Sequence, residues 1–250
     1  MDISGNTIFI PGATSGIGLA LAHALRERGN TVIVGGRRTE LLEQIAAEGL
    51  ETVRIDTTDA DSVQTAAKDV IARFPQVNVL VAMAGVMRVE DWHRPESFLE
   101  SAEGIVTTNI LGPIRLIAGF VEHFQTLPDA TIMTVSSGLA FAPLKVTPSY
   151  NASKAAIHML SESLRLQLAD TSVKVVELEP PSVRTDLLPG HAENAHAMPL
   201  DEYIAEVMNI IETQPEAKEI QVERVKFLRY AEARGDYDQV VAALNASDPH

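Results

Sequence analysis

Along this chain short apolar runs alternate with longer segments of helical period, and that alternation narrows the possible folds more than any single residue does. Strands separated by helices cannot pair as tight hairpins. They pair as parallel neighbours through crossovers, which buries the sheet on both faces. The candidate strands are Thr7 to Pro11, Thr31 to Gly35, Glu51 to Ile55, Asn78 to Ala82, Ala130 to Val135, Val173 to Glu179 and Glu219 to Val222. Helical patterns between them include Gly16 to Arg28, Glu40 to Glu48, Ala60 to Phe74, Ser97 to Gln125 and Tyr150 to Ala169. The expected fold is α/β, a doubly wound, seven-stranded parallel sheet with helices on both faces.

No repeat or linker divides this pattern, so residues 1–250 are expected to form a single domain. Thr185 to Pro199 interrupts it with Pro189-Gly190 and little apolar period; it reads as a loop or short helix over the C-terminal edge of the sheet, a substrate lid. Residues 224–245 carry two short amphipathic patterns separated by Gly235, a packing or subunit-contact extension.

The chain has no cysteine, which excludes disulfides, thiolate metal sites and a cysteine nucleophile. A net charge of -14 opposes nucleic-acid binding, and the only basic cluster is Arg37-Arg38. No run approaches the ~18 consecutive apolar residues that span a bilayer, and the N-terminus lacks a signal pattern. The expectation is a cytoplasmic protein without membrane or nucleic-acid partners, starting near Met1. No metal site is expected: His191 and His196 have no carboxylate at ligand spacing and read as exposed lid residues.

The first strand runs into Gly12-Ala-Thr-Ser-Gly16-Ile-Gly18 at the mouth of a helix. Glycines let the backbone turn tightly and approach a pyrophosphate, whose charge is favoured by the exposed amides of a helix N-terminus. At the end of the second strand an acid would bind a ribose 2'-hydroxyl and repel a 2'-phosphate. Here the chain reads Val34-Gly35-Gly36-Arg37-Arg38, with two guanidiniums and no acid. That favours NADP(H), with Arg37 preferred over Arg38 as the phosphate ligand. The plainer alternative is a solvated basic start to the next helix.

Tyr150 and Lys154 stand one helical turn apart, with Ser137 upstream. A lysine beside a phenol favours its ionised form. Bringing a tyrosine from ~10 to neutrality needs about 4 kcal/mol, of which one cation supplies part.

With these residues in hand the chain resembles the short-chain dehydrogenase/reductase family, a Rossmann-fold family, over residues 5 to about 222. The residues that carry the resemblance are the glycine turn, Asp56, Ala82-Met83-Ala84-Gly85, Asn109, Ser137, Tyr150, Lys154 and Pro180-Pro181-Ser-Val-Arg-Thr185. Within the family, the double proline and the tail around Val222, Val225 to Leu228, Ala231-Glu232 and Asn245 resemble the DltE-like oxidoreductases. The resemblance implies that Tyr150 is the general acid for a carbonyl oxygen and that Ser137 hydrogen-bonds the same oxygen. It implies that Lys154 holds the nicotinamide ribose and lowers the Tyr150 pKa, and that Asn109 positions a water joining Lys154 to solvent. The implied cofactor contacts are Gly12, Thr14, Ser15, Gly16, Ile17, Gly18, Arg37, Arg38, Asp56, Thr57, Ala84, Gly85, Tyr150, Lys154, Pro180, Val183 and Thr185. It also implies a homodimer or homotetramer.

Each residue has a plainer reading beside this one. Asn109 can satisfy backbone groups, Ser137 can cap a strand end, and Asp56 can cap the next helix. The chain also departs from the family pattern. Pro11 stands where a threonine is common, Ala82-Met83 where two asparagines are, and Pro181 where a glycine is.

Around the expected nicotinamide position the candidate substrate walls are Met87, Leu139, Phe141, Leu144, Leu187, Leu188 and Met198, which favour an apolar ketone or aldehyde. The leading function is therefore an NADPH-dependent carbonyl reductase, reversible as an alcohol dehydrogenase. The alternatives are a noncatalytic NADP(H)-binding sensor on the same fold and a sugar-nucleotide epimerase-type enzyme.

Overall fold

The computed structural model describes residues 2–188 and 190–246; Met1 and Pro189, which the sequence reading assigns to the chain start and the lid, lie outside it. Strands β1 (Thr7–Pro11), β2 (Thr31–Gly36), β3 (Glu51–Arg54), β4 (Val79–Ala82), β5 (Ala130–Val135), β6 (Val173–Leu178) and β7 (Glu219–Ile220) form one parallel sheet in the order β3-β2-β1-β4-β5-β6-β7. Helices α1 (Gly16–Glu27), α2 (Thr39–Ala47), α3 (Ala60–Arg73), α4 (Pro95–Val106), α5 (Gly112–Gln125), α6 (Pro148–Gln167) and α7 (Leu200–Thr213) intervene. The tail forms α8 (Lys226–Arg229), α9 (Ala231–Arg234) and α10 (Tyr237–Leu244), so the first of its two expected amphipathic segments is split at Tyr230.

Side-chain alternation explains why both faces are covered. Ile8 and Ile10 of β1, Val79 and Val81 of β4 and Met133 of β5 join one core layer with Leu21 and Leu25 of α1 and Val207 and Met208 of α7. Phe9, Leu80 and Ile132, at the intervening positions, join the other with Val70 of α3 and Leu116, Phe120 and Phe124 of α5. The central strands β1, β4 and β5 are buried on both faces, so their sequences are largely apolar.

Pro11 fits because of where it falls. The β1–β4 ladder pairs only Ile8 with Val79 and Phe9 with Leu80, so it has ended before Pro11, whose missing amide is not needed there. On the other side the Gly12 amide donates to Gly35 O at 2.8 Å and carries the β2 pairing onward.

The expected helix Ser97 to Gln125 is interrupted. A π-turn, Thr107–Leu111, separates α4 from α5. By length and composition alone Pro95–Gln125 is apolar enough to cross a membrane, with 39% of the window buried, and Leu116, Phe120 and Phe124 from it are core.

Candidate active site

Between β1 and β4 the strand order reverses, and the loops leaving these strands adjoin at the C-terminal edge, where an open α/β sheet binds its ligand. Gly12 has φ 84°, and a Cβ there would lie 2.7 Å from Ala84 Cβ, so the two loops meet backbone to backbone. Gly18 is tied just as closely: a Cβ would stand 2.8 Å from Ala13 Cα and 2.9 Å from Met83 Sδ. The N-terminus of α1 is thereby held at this edge. Its N-cap, Ser15, makes no side-chain cap bond, and Ile17 packs toward the core. Thr185 closes over Gly16, 3.5 Å from the place of a Cβ.

At the end of β2, Arg38 Nη2 donates to Thr14 Oγ1 at 3.0 Å, and Arg37 Nη1 lies 3.9 Å from Asp56 Oδ2. Asp56 Oδ1 accepts from the Thr58 amide at 2.9 Å and hydroxyl at 2.7 Å. Burial pushes this carboxyl up, but the Thr58 bonds together with Arg37 and Arg54 outweigh it and hold the pKa below the usual value. The cap of α3 is Asp59, not Asp56. Thr57 is buried, with its carbonyl against Gly112.

Ser137, Tyr150, Lys154 and Asn109 all lie buried beside Gly85 or one another. The Ser137 hydroxyl faces the Tyr150 phenol and accepts the Leu139 amide at 3.1 Å. Lys154 Nζ donates to Val135 O at 2.8 Å and sits 5.6 Å from the centre of the Tyr150 ring. Asn109 Oδ1 and Lys154 Nζ would lie 3.5 and 3.7 Å from a Cβ on Gly85. The Asn109 side chain itself is spent on protein groups: Oδ1 accepts the Val86 amide, while Nδ2 donates to Val86 O and Ser153 Oγ. These bonds tie the loop after β4 to α6 through Asn109.

Electrostatics differ from the expectation that Lys154 brings the phenol down. Burial pushes Tyr150 up to about 12, against which the Ser137 hydrogen bond acts, and burial pulls Lys154 down to about 8, against which Glu177 acts. Desolvation is the larger cause for both groups.

Two of the expected substrate walls make scaffold contacts. Phe141 packs its ring edge on His158 at 4.7 Å and lies under the Arg229 guanidinium at 4.3 Å, turned toward the tail. Met198 is buried in the core with Val183, and the two form an isolated bridge at the base of the lid segment. Met87, Leu139, Leu144 and Leu188 are half-buried and Leu187 is exposed. Pro180 O accepts the Gly138 amide at 3.0 Å, which ties the loop after β6 to the loop after Ser137. His196 is exposed, whereas His191 is half-buried and shares a 2.9 Å hydrogen bond between Nε2 and Ser182 Oγ.

One cluster escaped the sequence reading. His158, Glu177, Glu179 and Glu219 bring ligand-type atoms within 4.8 Å of one another, but Arg165 and Arg229 reach into it, Arg229 Nη2 standing 3.2 Å from Glu219. It is an ion-pair knot anchoring the tail to the sheet edge. The acids Glu177 and Glu179 at alternate positions near the end of the Val173 to Glu179 run were the available signal.

A family model described as short chain dehydrogenase matches residues 6–195. An uncharacterized oxidoreductase, DltE, of Bacillus subtilis is 35% identical over 99% of this chain and 100% of its own. A short chain dehydrogenase from Burkholderia cenocepacia in complex with NADP superposes with a TM-score of 0.81 at 25% identity, covering 99% of this chain and 100% of that one. An alcohol dehydrogenase from the archaeon Thermococcus sibiricus, complexed with 5-hydroxy-NADP, gives 0.77 at 25% identity over 87% and 96%. With the parallel sheet, the glycine turn at its switch point and the Ser137–Tyr150–Lys154 grouping, these matches establish that the chain belongs to the short chain dehydrogenase family of oxidoreductases.

Proposed function

We propose that the protein is an NADP(H)-dependent oxidoreductase that reduces the carbonyl of an apolar ketone or aldehyde to an alcohol, and runs in reverse as an alcohol dehydrogenase. The observation that carries this reading is the Ser137 hydroxyl set against the buried Tyr150 phenol, with Lys154 Nζ packed alongside the ring. The cofactor fits the residues present: Gly12 and Gly18 leave a cradle that a Cβ would fill, and Arg37 and Arg38 follow β2 where an acid would repel a 2'-phosphate. The Burkholderia and Thermococcus relatives were solved with NADP and 5-hydroxy-NADP, which supports the same preference.

When bound, the reduced cofactor supplies a hydride to the carbonyl carbon. As that C–H bond forms, the C=O π pair moves onto oxygen, and Tyr150 passes its phenolic proton there. Ser137 donates to the same oxygen, so both groups act most strongly where charge develops. Lys154 is the residue that would hold the nicotinamide ribose, and its positive charge would offset the cost of a buried phenolate. Asn109 keeps Val86, and with it Gly85, in place. The segment 185–199 acts as the lid of a single-domain enzyme in the cytoplasm. Exposed Met159 and Leu166, seven residues apart on one face of α6, support a homo-oligomer, dimer or tetramer.

The test is loss of NADPH absorbance across a panel of carbonyls by wild type and Tyr150→Phe. Turnover of apolar ketones that drops on the order of 10²–10⁴-fold in the variant supports the proposal. Tight NADPH binding with no turnover of any carbonyl replaces it with the sensor reading, and preference for charged sugars or acyl thioesters overturns the apolar substrate.

A further inference from the structure

Tyr150 sits in the first turn of α6, the part of a helix that frays most readily. The N-cap residue, Thr147, gives that turn no side-chain cap. Pro148 has no amide to satisfy, and the next donor, the Ser149 amide, goes outside the helix to Glu90 Oε2 at 3.1 Å. The amide of Glu90 in turn donates to Val146 O at 2.9 Å. One residue from the loop between β4 and α4 therefore brackets residues 146–149 from both ends.

Glu90 is itself held firmly. Only 7% exposed, it accepts Ser101 Oγ on Oε1 at 2.8 Å and Trp92 Nε1 on Oε2 at 3.0 Å, and Trp92 stacks on Phe98 with ring centres 4.2 Å apart. Burial pushes its carboxyl up, yet the bonds from Trp92, Ser149 and Ser101 outweigh that and keep the pKa below the usual value. A fixed anion thus faces the positive end of α6. The same loop is laced to α6 again upstream, where Val86 binds Asn109 and Asn109 binds Ser153.

We propose that Glu90 is the positioning residue for Tyr150: by capping α6 from outside the helix it stops the first turn from fraying and holds the phenol at the reacting oxygen without touching substrate. What Tyr150 does there rests on the carbonyl reductase reading above. The cap rests on the hydrogen bonds alone.

The experiment compares Glu90→Ala and Glu90→Gln in the full chain. Gln keeps a carbonyl oxygen for the Ser149 amide; Ala does not. In Glu90→Ala, kcat for an apolar ketone should fall on the order of 10–100-fold, the scale of a ~1 Å misplacement, while the KM for NADPH stays within about 3-fold. Glu90→Gln should retain kcat within about 5-fold. Hydrogen exchange at the Ser149 and Tyr150 amides should accelerate at least ~10-fold in the Ala variant, with the second half of α6 unchanged. Trp92, the single tryptophan of the chain, should shift its emission in the Ala variant, while circular dichroism reports the intact fold. Wild-type kcat in folded Glu90→Ala, unchanged exchange at those amides, or a Gln variant as impaired as the Ala variant would each overturn the proposal. If Glu90→Ala does not fold, Glu90→Asp, which withdraws the carboxylate from Ser149, must reproduce the loss of kcat and of protection. A wild type that reduces no carbonyl overturns the reductase reading instead, and exchange still decides whether Glu90 caps α6.

Discussion

Arg38 stands on the glycine turn: its Nη2 donates to Thr14 Oγ1 at 3.0 Å, while its neighbour Arg37 faces Asp56. One cation braces the turn and the other reaches past the end of β2. Replacing Arg37 by Ala should lower kcat/KM with NADPH about 10–100-fold, the scale of a charge-assisted hydrogen bond, and change the NADH value less than about 3-fold. Arg38→Ala should weaken both cofactors, since the turn serves both. Initial rates with the two cofactors decide; an unchanged NADPH to NADH ratio in Arg37→Ala would remove Arg37 from the 2'-phosphate.

Gly12→Ala should be among the costliest single methyl additions in the protein. The new methyl meets Ala84 at 2.7 Å, and φ 84° disfavours any side chain. Strain and overpacking of this kind cost on the order of 1–3 kcal/mol each. Urea melts should show the loss, and NADPH binding should weaken in the fraction that folds.

Two buried groups give stability opposite pH slopes. Burial, with Glu177 and Glu219 nearby, pushes Glu179 up to about 8, against Arg229. Its contribution is complete below the unfolded value near 4.5 and is lost as pH rises through about 8. Lys154, pulled down to about 8, behaves in reverse: the cost of its buried charge is relieved between about 8 and 10.5. Glu179→Gln should therefore match wild type at pH 4 and exceed it at pH 9, on the order of 1–2 kcal/mol. Lys154→Met should erase the rise above pH 8. Denaturant melts of cofactor-free protein across this range test both slopes.

Asn245 holds the loop after Ser137 from the tail, accepting the Lys145 amide at 2.7 Å and donating to Pro143 O at 3.0 Å. Asn245→Ala should raise the KM for bulky ketones several-fold, on the order of the ~1 kcal/mol carried by such bonds, and leave NADPH affinity unchanged. Equal effects on small and bulky substrates would separate the tail from substrate fit.

The strands were legible because burial on both faces leaves an apolar run that periodicity detects; only their ends moved, as at β7, which stops at Ile220 rather than Val222. The expectation that Ser137 stands beside Tyr150 came from the family resemblance, since a helix turn fixes only the spacing of Tyr150 and Lys154. Glu90 was not legible, since an acid between Val89 and Asp91 looks like a solvated loop until Ser149 and Ser101 close on it. The scaffold contacts of Phe141 and Met198 were hidden for a related reason. An apolar residue near a site in sequence can serve the site or the scaffold, and only the positions of Arg229 and Val183 decide between them.

The π-turn at Thr107–Leu111 has a cost and a use. A one-residue deletion there would remove the π-turn, although Pro113 would still have no amide to join a continuous α-helical ladder. It would also swing Asn109 about 100° around the axis, away from Val86 and Ser153. The segment gives up helical regularity for a fixed azimuth, so length changes here should be tolerated far less than substitutions of its outward-facing residues.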